Sequence, residues 1–424
     1  MSDKKRNVPV LRFNGFSDAW EQRKLGELGK VTTGKAFSSI DFDEQGEYLV
    51  ITNKDISTSS RSQNVVTDRI NVSDKNIIEK YNLNGKNILV TMDGVNLGKT
   101  AMYSNENALL AQRVGRIQST QLEFVYQITS SNNFFMTMRT LSVGNAIKHI
   151  SLSQISNYST LVPNNEAEQQ KIGELFKHLD NTIALHQRKL DALKQMKKGF
   201  LQQLLPESGE KLPRVRFTGF QEEWEQREFG DVLIFSVPNN NFPRASLNYE
   251  EGIIKNIHYG DVLMKFDSVV DVSTSNIPFV TNGQLESFTN QFLQNGDIVI
   301  ADTAEDKITG KAIEVCGINN TSVVSGLHTM VARPNISFAS RYLGYYLNSY
   351  SYRKQLLPLM QGIKVLSISK SNISKTTLCF PKNAIEQERI GDFFKQLDKT
   401  MLLHQNRLTK LTTLKKAYLK IMFI

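Results

Sequence analysis

Apolar residues recur at alternating spacings of three and four in two long stretches of the chain, from Glu166 to Leu205 and from Pro381 to Phe423. This alternation puts one apolar stripe along a helix and is typical of a coiled-coil seam. The pattern predicts two helices of about 40 residues, each roughly 60 Å long at 1.5 Å per residue. The predicted seam positions are Ile172, Leu175, Leu179, Thr182, His186, Leu190, Leu193, Met196, Phe200 and Leu204 in the first helix, and Ile390, Phe393, Leu397, Thr400, His404, Leu408, Leu411, Leu414, Tyr418 and Met422 in the second.

Proline lies just before the first stretch, at Pro163, and at the start of the second, at Pro381, where it suits a helix entry. Gly209 with Pro213 would end the first helix. A single apolar stripe on so long a helix needs a partner. We expect the two predicted helices to pack antiparallel within one chain and to form a rigid spacer. Heptads do not specify whether the partner is intramolecular, so a coiled coil between two chains is the alternative.

The segments outside these helices, 24–160 and 228–378, alternate short β-rich runs with Gly, Asn and Asp turns. Helical patches with aromatic residues occur near Phe124–Met138 and Phe338–Leu357. We therefore predict an α+β fold with two pseudo-symmetric domains, and divide the chain at 1–162, 163–207, 208–380 and 381–424. The clearest predicted strands are Ile88–Val90, Val114–Ile117, Asp297–Ile300, Ala312–Val315 and Val323–Val324.

The chain repeats itself in two blocks. The segment that starts at Arg12 and contains Trp20 returns 204 residues later at Arg216 and Trp224, and these are the only two tryptophans. The second block, 163–205, returns without a gap at 381–423, an offset of 218. Between the blocks the halves resemble each other only in patches. We call the repeated blocks the frame, and the dissimilar segments between them, 24–160 and 228–378, the fillings. Such an arrangement suits a protein that performs the same kind of function on two different targets.

Two patches of the fillings also correspond. Gly85 to Lys99 and Gly296 to Lys311 each place a Gly-Asx strand before a lysine-bearing loop. Ile147–Ser153 is aligned with Ile363–Ser369. Lys, Asn, Ser and Thr in such loops suit contacts with phosphates and base edges.

Composition adds a basic balance, with a formal net charge of +9 and a pI near 9.2. This favours a polyanionic partner, although many mildly basic proteins bind no nucleic acid. Only Cys316 and Cys379 are present, far apart, which excludes a zinc ribbon and argues against a disulfide framework. No apolar run is long enough to span a bilayer, so we expect a cytoplasmic protein without a membrane partner.

Three arrangements invite a catalytic interpretation. Gly94 to Thr100 is like a P-loop, but only three residues separate its glycines where four are required. Asp302, Glu305 and Lys307 could serve a metal-dependent nuclease, but they crowd onto one loop. His186 and His404 take equivalent seam positions, where a polar residue that fixes register is the simpler interpretation. We expect no catalytic residue and no metal site in this chain.

At this point the residues resemble a known family, the specificity subunits of type I restriction–modification enzymes. The resemblance depends on the segment from Trp20 to Gly26 and its copy from Trp224 to Gly230, with Glu168-Gln169-Ile172 and Glu386-Gln387-Ile390 at the start of each long helix. It covers essentially the whole chain in the order variable, helix, variable, helix. No single motif is specific, but the doubled order is.

The resemblance implies a division of labour. Each variable region would be a target recognition domain that reads one half of a bipartite site in double-stranded DNA. The helices would dock two modification subunits, which use S-adenosylmethionine to methylate adenine, and restriction subunits would add ATP-driven translocation and Mg²⁺-dependent cutting. This chain would need no cofactor of its own and would not be an enzyme.

Candidate residues follow from these interpretations. For DNA binding they are Lys35, Arg61, Asn96, Lys99, Arg113, Arg116, Arg139, Lys148, Lys255, Thr303, Lys307, Lys311, Arg333, Arg341 and Lys364. For helix pairing and subunit docking they are Glu168, Gln169, Ile172, Leu179, His186, Leu190, Leu193, Glu386, Gln387, Ile390, Leu397, His404, Leu408 and Leu411. Two other functions stay open: a coiled-coil scaffold whose variable domains bind proteins, and a stand-alone nuclease.

Overall fold

The computed structural model describes residues 7–56, 68–144, 148–207 and 209–424, so Arg61 lies outside the described residues. The chain forms two compact units. Unit 1 contains Met1–Arg188 and Gln405–Ile424, and unit 2 contains Lys189–His404. The boundary falls within both long helices, so neither helix is a unit of its own, and each unit takes part of both.

The first half of the chain has eight strands and six α-helices in its described residues. The strands are β1 (Glu21–Lys24), β2 (Lys30–Thr33), β3 (Tyr48–Ile51), β4 (Arg69–Ile70), β5 (Asn82–Thr91), β6 (Thr100–Leu110), β7 (Val114–Gln118) and β8 (Ser159–Val162). The helices are α1 (Leu25–Leu28), α2 (Lys75–Tyr81), α3 (Leu122–Thr129), α4 (Asn132–Leu141), α5 (Leu152–Ser156) and the long α6 (Glu166–Gln203).

The second half follows the same order with additional strands. They are β9 (Glu225–Glu228), β10 (Leu233–Val237), β11 (Leu247–Asn248), β12 (Ile254–Ile257), β13 (Val269–Asp271), β14 (Phe279–Val280), β15 (Ile298–Ala301), β16 (Thr303–Ala304), β17 (Ala312–Cys316), β18 (Ser322–Ser325), β19 (Thr329–Pro334), β20 (Leu366–Ser367) and β21 (Thr377–Phe380). The helices are α7 (Phe229–Val232), α8 (Tyr259–Met264), α9 (Tyr342–Leu347), α10 (Tyr350–Leu356), α11 (Lys370–Ser374) and the long α12 (Ala384–Met422). All five strands predicted from the sequence are confirmed.

Unit 1 is built on a six-stranded sheet in the order β2-β7-β5-β6-β3-β4. Its pairs are antiparallel except β3 with β6. Strand β6 lies between β5, with which it pairs along most of its length, and β3, with which its last three residues pair. The buried parts of the middle strands are residues 87–91 of β5, 100–103 and 108–110 of β6, and 114–117 of β7. Consecutive residues of a strand face opposite sides of the sheet, so these segments place the core on both of its faces.

Unit 2 repeats this sheet with its long strand divided in two. One sheet runs β10-β19-β15-β17-β13 and a second runs β11-β14-β12-β18. β15 and β17 pair as β5 and the start of β6 do, whereas β12 and β18 pair in parallel as β3 and the end of β6 do. Strands β17 and β18 together are therefore the counterpart of β6. The insertions between and beside them help to account for the greater length of the second half.

The long helices run antiparallel inside each unit. In unit 1, the Phe176 ring of α6 lies 5.9 Å from the Phe423 ring, and the Asp180 carboxylate is 2.5 Å from the Lys415 ammonium of α12. The residue later in α6 thus contacts the residue earlier in the C-terminal segment, so the two segments are antiparallel. In unit 2, Lys197 of α6 meets Asp398 at 2.7 Å and Phe200 meets Phe393 with ring centroids 5.0 Å apart. These contacts confirm an intramolecular antiparallel pair.

Three predicted seam residues are exposed, and lysines next to two of them face inward instead. Met196 and Leu414 are 46% and 40% exposed, and Thr400 is also exposed. The neighbouring Lys197 and Lys415 turn inward to the ion pairs described above, and Lys197 is buried. The periodic pattern missed them because lysine counts as polar, although its long apolar stem can be buried when its ammonium has a carboxylate partner.

Each long helix begins at a buried glutamate that ties the start of the unit to the helix. Glu168 accepts two hydrogen bonds from Arg12 at 2.6 and 2.7 Å, and Glu386 accepts two from Arg216 at 2.6 and 2.8 Å. Gln169 and Gln387 donate to the carbonyl oxygens of the prolines that precede their helices.

All four of these side chains are buried within their own units. Glu168, Gln169, Glu386 and Gln387 are therefore internal anchors and do not belong to a helix-pair seam or to an exposed docking surface. Ile172, Ile390, Leu190, Leu397 and Leu408 are buried, while Leu179, Leu193, Leu411, His186 and His404 are partly buried.

The entry of the chain into the two units is also equivalent. In unit 1, the amide of Leu11 donates to the carbonyl of Ile421 near the end of α12. In unit 2, the amide of Val215 donates to the carbonyl of Gln203 at the end of α6. None of the helices among the described residues combines the length and apolar character needed to cross a bilayer.

Candidate DNA interface

Three loops meet at one edge of the sheet in unit 1. Loop A (92–99) joins β5 to β6, loop B (111–113) joins β6 to β7, and loop C (143–149, of which 145–147 are not described) precedes α5. The amide of Met92 in loop A donates to the carbonyl of Arg113 in loop B at 3.0 Å. The amide of Ile150 donates to the carbonyl of Met92 at 2.8 Å, which joins the end of loop C to loop A.

Unit 2 builds the same edge from equivalent backbone bonds. Here loop A is 302–311, loop B is 326–328 and loop C is 361–367. The amide of Asp302 donates to the carbonyl of His328 at 3.2 Å, and the amide of Ile368 donates to the carbonyl of Asp302 at 2.9 Å. We call the three loops of each unit its reading edge.

These bonds correct the alignment of the fillings near loop C. Ile150 and Ile368 make the same bond, and Ser151 and Ser369 cap the equivalent helices α5 and α11 through their hydroxyl groups. The offset there is thus 218, as in the long helices. The alignment of Ile147–Ser153 with Ile363–Ser369 was wrong by two residues, because similar serine-rich strings fit in either register.

Loop B carries a left-handed residue in both units. Arg113 has a φ of 65° and His328 has a φ of 54°. Positive φ is uncommon for residues other than glycine, because the Cβ atom crowds the backbone there. Sequence reasoning selected Arg113 as a cation but did not single out His328, since no local pattern marks its backbone conformation.

An acidic residue of loop A holds Arg113 in unit 1. The Arg113 Nη1 atom lies 2.8 Å from Asp93 Oδ2, and the Asn53 side-chain amide donates to the other carboxylate oxygen. The Asp93 side chain is 8% exposed whereas that of Arg113 is 62% exposed. The carboxylate therefore supports an arginine whose outer part faces solvent.

A cleft of about 1050 Å³ opens beside this pair. Lys35, Lys54 and Arg69 add positive charge to its walls, together with several carboxylates. Such mixed walls suit a polar ligand edge better than an apolar one. Asn53 and Asp93 were missed by sequence reasoning, although an aspartate before a glycine at the end of a buried strand is a recognisable turn signal.

In unit 2 the left-handed residue of loop B has different neighbours. His328 Nδ1 lies 3.4 Å from Asp302, and the His328 ring stands edge-on to Tyr259 with centroids 5.3 Å apart. Next to them, burial and then the Arg244 charge lower the pKa of His258, whose Nδ1 accepts a hydrogen bond from the amide of Gly260. This edge offers aromatic and imidazole groups where unit 1 offers an amide and a guanidinium.

The reading edges bring together part of the predicted DNA-binding set. Asn96, Lys99, Arg113 and Lys148 lie on the loops of unit 1, and Lys35 pairs with loop B through its backbone. Thr303, Lys307 and Lys364 lie on the loops of unit 2. Arg139 is an exposed residue of α4 whose guanidinium sits over the Phe135 ring.

Two predicted DNA-binding cations instead stabilise the interior of their units. Arg116 is 8% exposed and donates to the carbonyl oxygens of Asn82 and Lys80, and burial lowers its pKa. The Lys311 ammonium donates to the carbonyl oxygens of Leu263 and Phe266, and burial lowers its pKa as well. Backbone carbonyls already use their donors, so we remove both from the candidate interface.

Three more cations of unit 2 are engaged in the same way. Arg333 makes a two-pronged ion pair with Asp297 at 2.8 and 2.7 Å. Lys255 donates to the Val272 carbonyl at 2.9 Å. Arg341 is 3.5 Å from Asp392 of α12. All three lie away from the loops of the reading edge, and we do not count them among the DNA-binding residues.

The catalytic interpretations gain no support from the geometry. Gly94 and Gly98 both have positive φ in a tight turn that leads into strand β6, whereas a P-loop leads into a helix N-terminus. The Lys99 ammonium in that turn binds the Asn96 side chain. Among the described residues, no three or more His, Cys, Asp or Glu side chains are grouped closely enough to hold a metal ion.

A solved structure with a TM-score above 0.5 shares this fold. The S subunit of a type I restriction–modification system from M. genitalium is 14% identical, with 98% of this chain and 99% of that chain covered and a TM-score of 0.63. The HsdS subunit of Thermoanaerobacter tengcongensis is also 14% identical, over 95% and 96% of the two chains, with a TM-score of 0.40. At such identity the likeness concerns the fold alone.

A family model decides the wider relationship. The type I restriction modification DNA specificity domain matches the chain twice, over residues 17–195 and 221–413. The two matches together cover most of the chain, and they reproduce the two copies of the frame found in the sequence and in the sheets. This chain belongs to the family of type I restriction–modification specificity subunits, with two DNA specificity domains in one polypeptide.

Proposed function

We propose that this chain reads a bipartite sequence in double-stranded DNA, with one half-site for each unit. The observation that carries the proposal is the reading edge, which both units build from the same backbone bonds but line with different side chains. A common scaffold with different polar groups at its loops allows two sequences to be read by one kind of docking. The basic balance of the chain suits attraction to the phosphates.

The long helices α6 and α12 would set the unread spacer and dock the partner subunits. They carry matching sequences, and the exposed residues Leu185 and Met196 of α6 recur as Leu403 and Leu414 of α12. Two copies of one surface suit two copies of one partner, which fits a pair of modification subunits. Restriction subunits would join the complex through that core.

Catalysis would belong to these partners. S-adenosylmethionine would bind to the modification subunits, which flip the target adenine out of the stack to reach it. ATP and Mg²⁺ would serve the restriction subunits. The sequence supports this division, because an adenine methyltransferase needs an Asn/Asp-Pro-Pro-aromatic string and the chain contains none.

The test is a selection from random-sequence duplex DNA by the complex of this chain with its modification subunits. We expect two short enriched blocks separated by an unread spacer of fixed length, and binding that weakens steeply with salt. Binding of proteins without any DNA preference would favour a scaffold instead. Mg²⁺-dependent cutting by the chain alone would favour a nuclease.

A domain exchange makes the test sharper. Replacing residues 24–160 with the corresponding segment of a relative should change one enriched block and leave the other block and the spacer unchanged. The reciprocal exchange of residues 228–378 is the matched control and should change only the other block. A change in both blocks after either exchange would contradict the modular assignment.

A further inference from the structure

We propose that the left-handed residue of loop B is the principal base-reading position of each unit, and that Arg113 reads a guanine in the first half-site. This inference rests on the proposed function, since it names the residues by which each unit would discriminate bases.

A strained position occupied by a large side chain needs a reason. The turn between the last residues of β6 and the start of β7 requires a positive φ, which glycine adopts without steric cost. Arg113 and His328 both accept that cost at equivalent places, although glycine occurs freely in nearby loops. Strain of this kind concentrates at functional sites. The side chain, rather than the turn, explains why glycine is absent from both positions.

The surroundings of Arg113 prepare it for directional recognition. Asp93 is buried and is itself fixed by the Asn53 amide, so its hydrogen bond restrains the Nη1 end of the guanidinium. The side chain is otherwise mostly exposed. A fixed planar fork loses less conformational freedom on binding than a mobile one, and the carboxylate offsets part of its charge. These features favour a base edge over a phosphate, which needs charge but not orientation.

Guanine is the base that matches this fork. In the major groove it presents the N7 and O6 acceptors side by side, and a bidentate arginine is the commonest contact to that pair. Adenine offers one acceptor and one donor, which the amide of an asparagine matches better than a guanidinium. Arg113 therefore predicts a guanine, and the different residue at the same position in unit 2, His328, predicts a different contact in the second half-site.

The experiment uses the complex of the full chain with its modification subunits and its selected target. Each guanine of the first half-site is replaced singly by 7-deazaguanine, which lacks the N7 acceptor. For the wild type we expect one replacement to weaken binding about tenfold or more. For Arg113→Gly we expect that replacement to have no effect, because the contact is already absent.

Arg113→Gly is a suitable variant because glycine relieves the strained backbone, which offsets part of the loss of the Asp93 ion pair, and the Asn53 amide still donates to that carboxylate. Unfolding followed by Trp20 fluorescence, in a Trp224→Phe background, checks that unit 1 remains folded. Arg113→Lys keeps the charge without the planar fork, so we expect it to retain the salt dependence and to lose most of the discrimination. His328→Gly is the matched control and should relax only the second half-site.

Two results would overturn the inference without touching the proposed function. Arg113→Gly could weaken binding to every sequence equally and lower the salt slope by about one, which would identify a phosphate contact. It could also leave the selected first half-site unchanged. A wild-type complex that selects no DNA sequence would refute the proposed function itself.

Discussion

In each unit a lysine of one long helix forms an ion pair with an aspartate of the other, but the further partners of the lysine differ between unit 1 and unit 2. Lys415 in unit 1 meets Asp180 at 2.5 Å. Lys197 in unit 2 meets Asp398 at 2.7 Å and also binds Asp267 of the sheet domain. The ion pair of unit 2 therefore extends from the helices into the domain.

A residue of the neighbouring helix joins the ion pair in unit 2, and its equivalent in unit 1 does not. The Tyr345 hydroxyl of α9 donates to Asp398 at 2.8 Å. The equivalent residue of α3 is Gln127, since Gly173 and Gly391 approach α3 and α9 three residues before these positions. Both polar atoms of the Gln127 amide are buried, and neither has a hydrogen-bond partner among the described residues. In unit 2 the tyrosine therefore extends the ion pair into a polar network, whereas the Gln127 side chain makes no such bond to the described residues of unit 1.

This network explains the titration behaviour of Lys197. Burial alone would lower the pKa of Lys197, but Asp267 and Asp398 together raise it above its ordinary value. Burial raises the pKa of Asp398, against the opposing effect of Lys197. The repeated helices therefore place the lysine–aspartate pair at equivalent positions in both units. The sheet domains determine which further groups bind that pair.

The comparison can be tested one unit at a time. The chain has two tryptophans, Trp20 in unit 1 and Trp224 in unit 2, and both are buried. Replacing either one with phenylalanine leaves a single fluorescent reporter for the other unit. Denaturant unfolding of such variants gives a separate free energy of unfolding for each unit.

The largest effect is expected at the buried anchors. Arg12→Ala should lower the free energy of unfolding of unit 1 by about 4 kcal/mol, because it leaves the buried Glu168 carboxylate without its arginine. Arg216→Ala should cost unit 2 about 1 kcal/mol less, since the Trp224 indole also donates to Glu386 at 3.3 Å. The Trp20 indole nitrogen has no such partner among the described residues.

The control removes both partners of one anchor. Arg12→Met combined with Glu168→Leu should recover much of the loss, because no uncompensated charge is left buried. Equal losses for Arg12→Ala and Arg216→Ala would show that the indole of Trp224 contributes nothing to its anchor.

A smaller effect is expected at the inward lysines. Lys197→Met should lower the stability of unit 2 by about 3 kcal/mol, since two carboxylates then face each other without their cation. Lys415→Met should lower that of unit 1 by about 1 kcal/mol, because only Asp180 loses a partner in the ion pair. Each variant is compared by denaturant unfolding with its exposed neighbour, Lys198→Met or Lys416→Met, which should change little. A larger loss in unit 1 would contradict the network assigned to unit 2.

An effect smaller than that of Lys197→Met is a pH dependence restricted to unit 2. Burial raises the pKa of Glu314 to about 7, against hydrogen bonds from the amides of Gly344 and Arg341. The equivalent residue of β6 is Met102, which cannot titrate. The folded unit therefore keeps a proton on Glu314 that the unfolded chain releases at lower pH.

Stability conferred in this way is present at low pH and is lost as the pH rises toward 7. Between pH 5 and pH 7.5 the free energy of unfolding of unit 2, reported by Trp224, should fall by about 2 kcal/mol. Glu314→Gln should flatten that dependence. The free energy of unfolding of unit 1, reported by Trp20, should not show this pH dependence either with Glu314 or in the Glu314→Gln variant. A fall of the same size in Glu314→Gln would assign the effect to another group.

Much of the fold could be predicted from the sequence because it repeats. The offset of 218 identified both long helices and their shared apolar stripe, and the short β-rich runs identified five strands of the sheets. The seam was wrong at Met196 and Leu414, where the inward residues are lysines. Periodicity weighs each side chain by its average hydrophobicity and contains no information about a partner that lies on another helix.

The candidate site could be predicted only in part for a related reason. Cations on loops were a sound starting set, and Asn96, Lys99 and Arg113 do lie at the reading edge. Arg116 lies outside the loops and Lys311 is the last residue of loop A in unit 2, but both side chains turn inward to backbone carbonyls that are distant in sequence. Charge can be read from composition, but the choice between solvent and interior depends on the neighbours that the fold supplies.

The sequence by itself determined that the chain is a duplicated frame around two different fillings, since repeats and heptad spacing are properties of residue order. Only the tertiary structure decided which polar groups are internal and which backbone positions are strained. Glu168 finds Arg12 across 156 residues and Glu386 finds Arg216 across 170 residues. The left-handed turns at Arg113 and His328 exist because the surrounding strands impose them. Such long-range hydrogen bonds and imposed dihedral angles form only once the whole unit has packed, so no local pattern contains them.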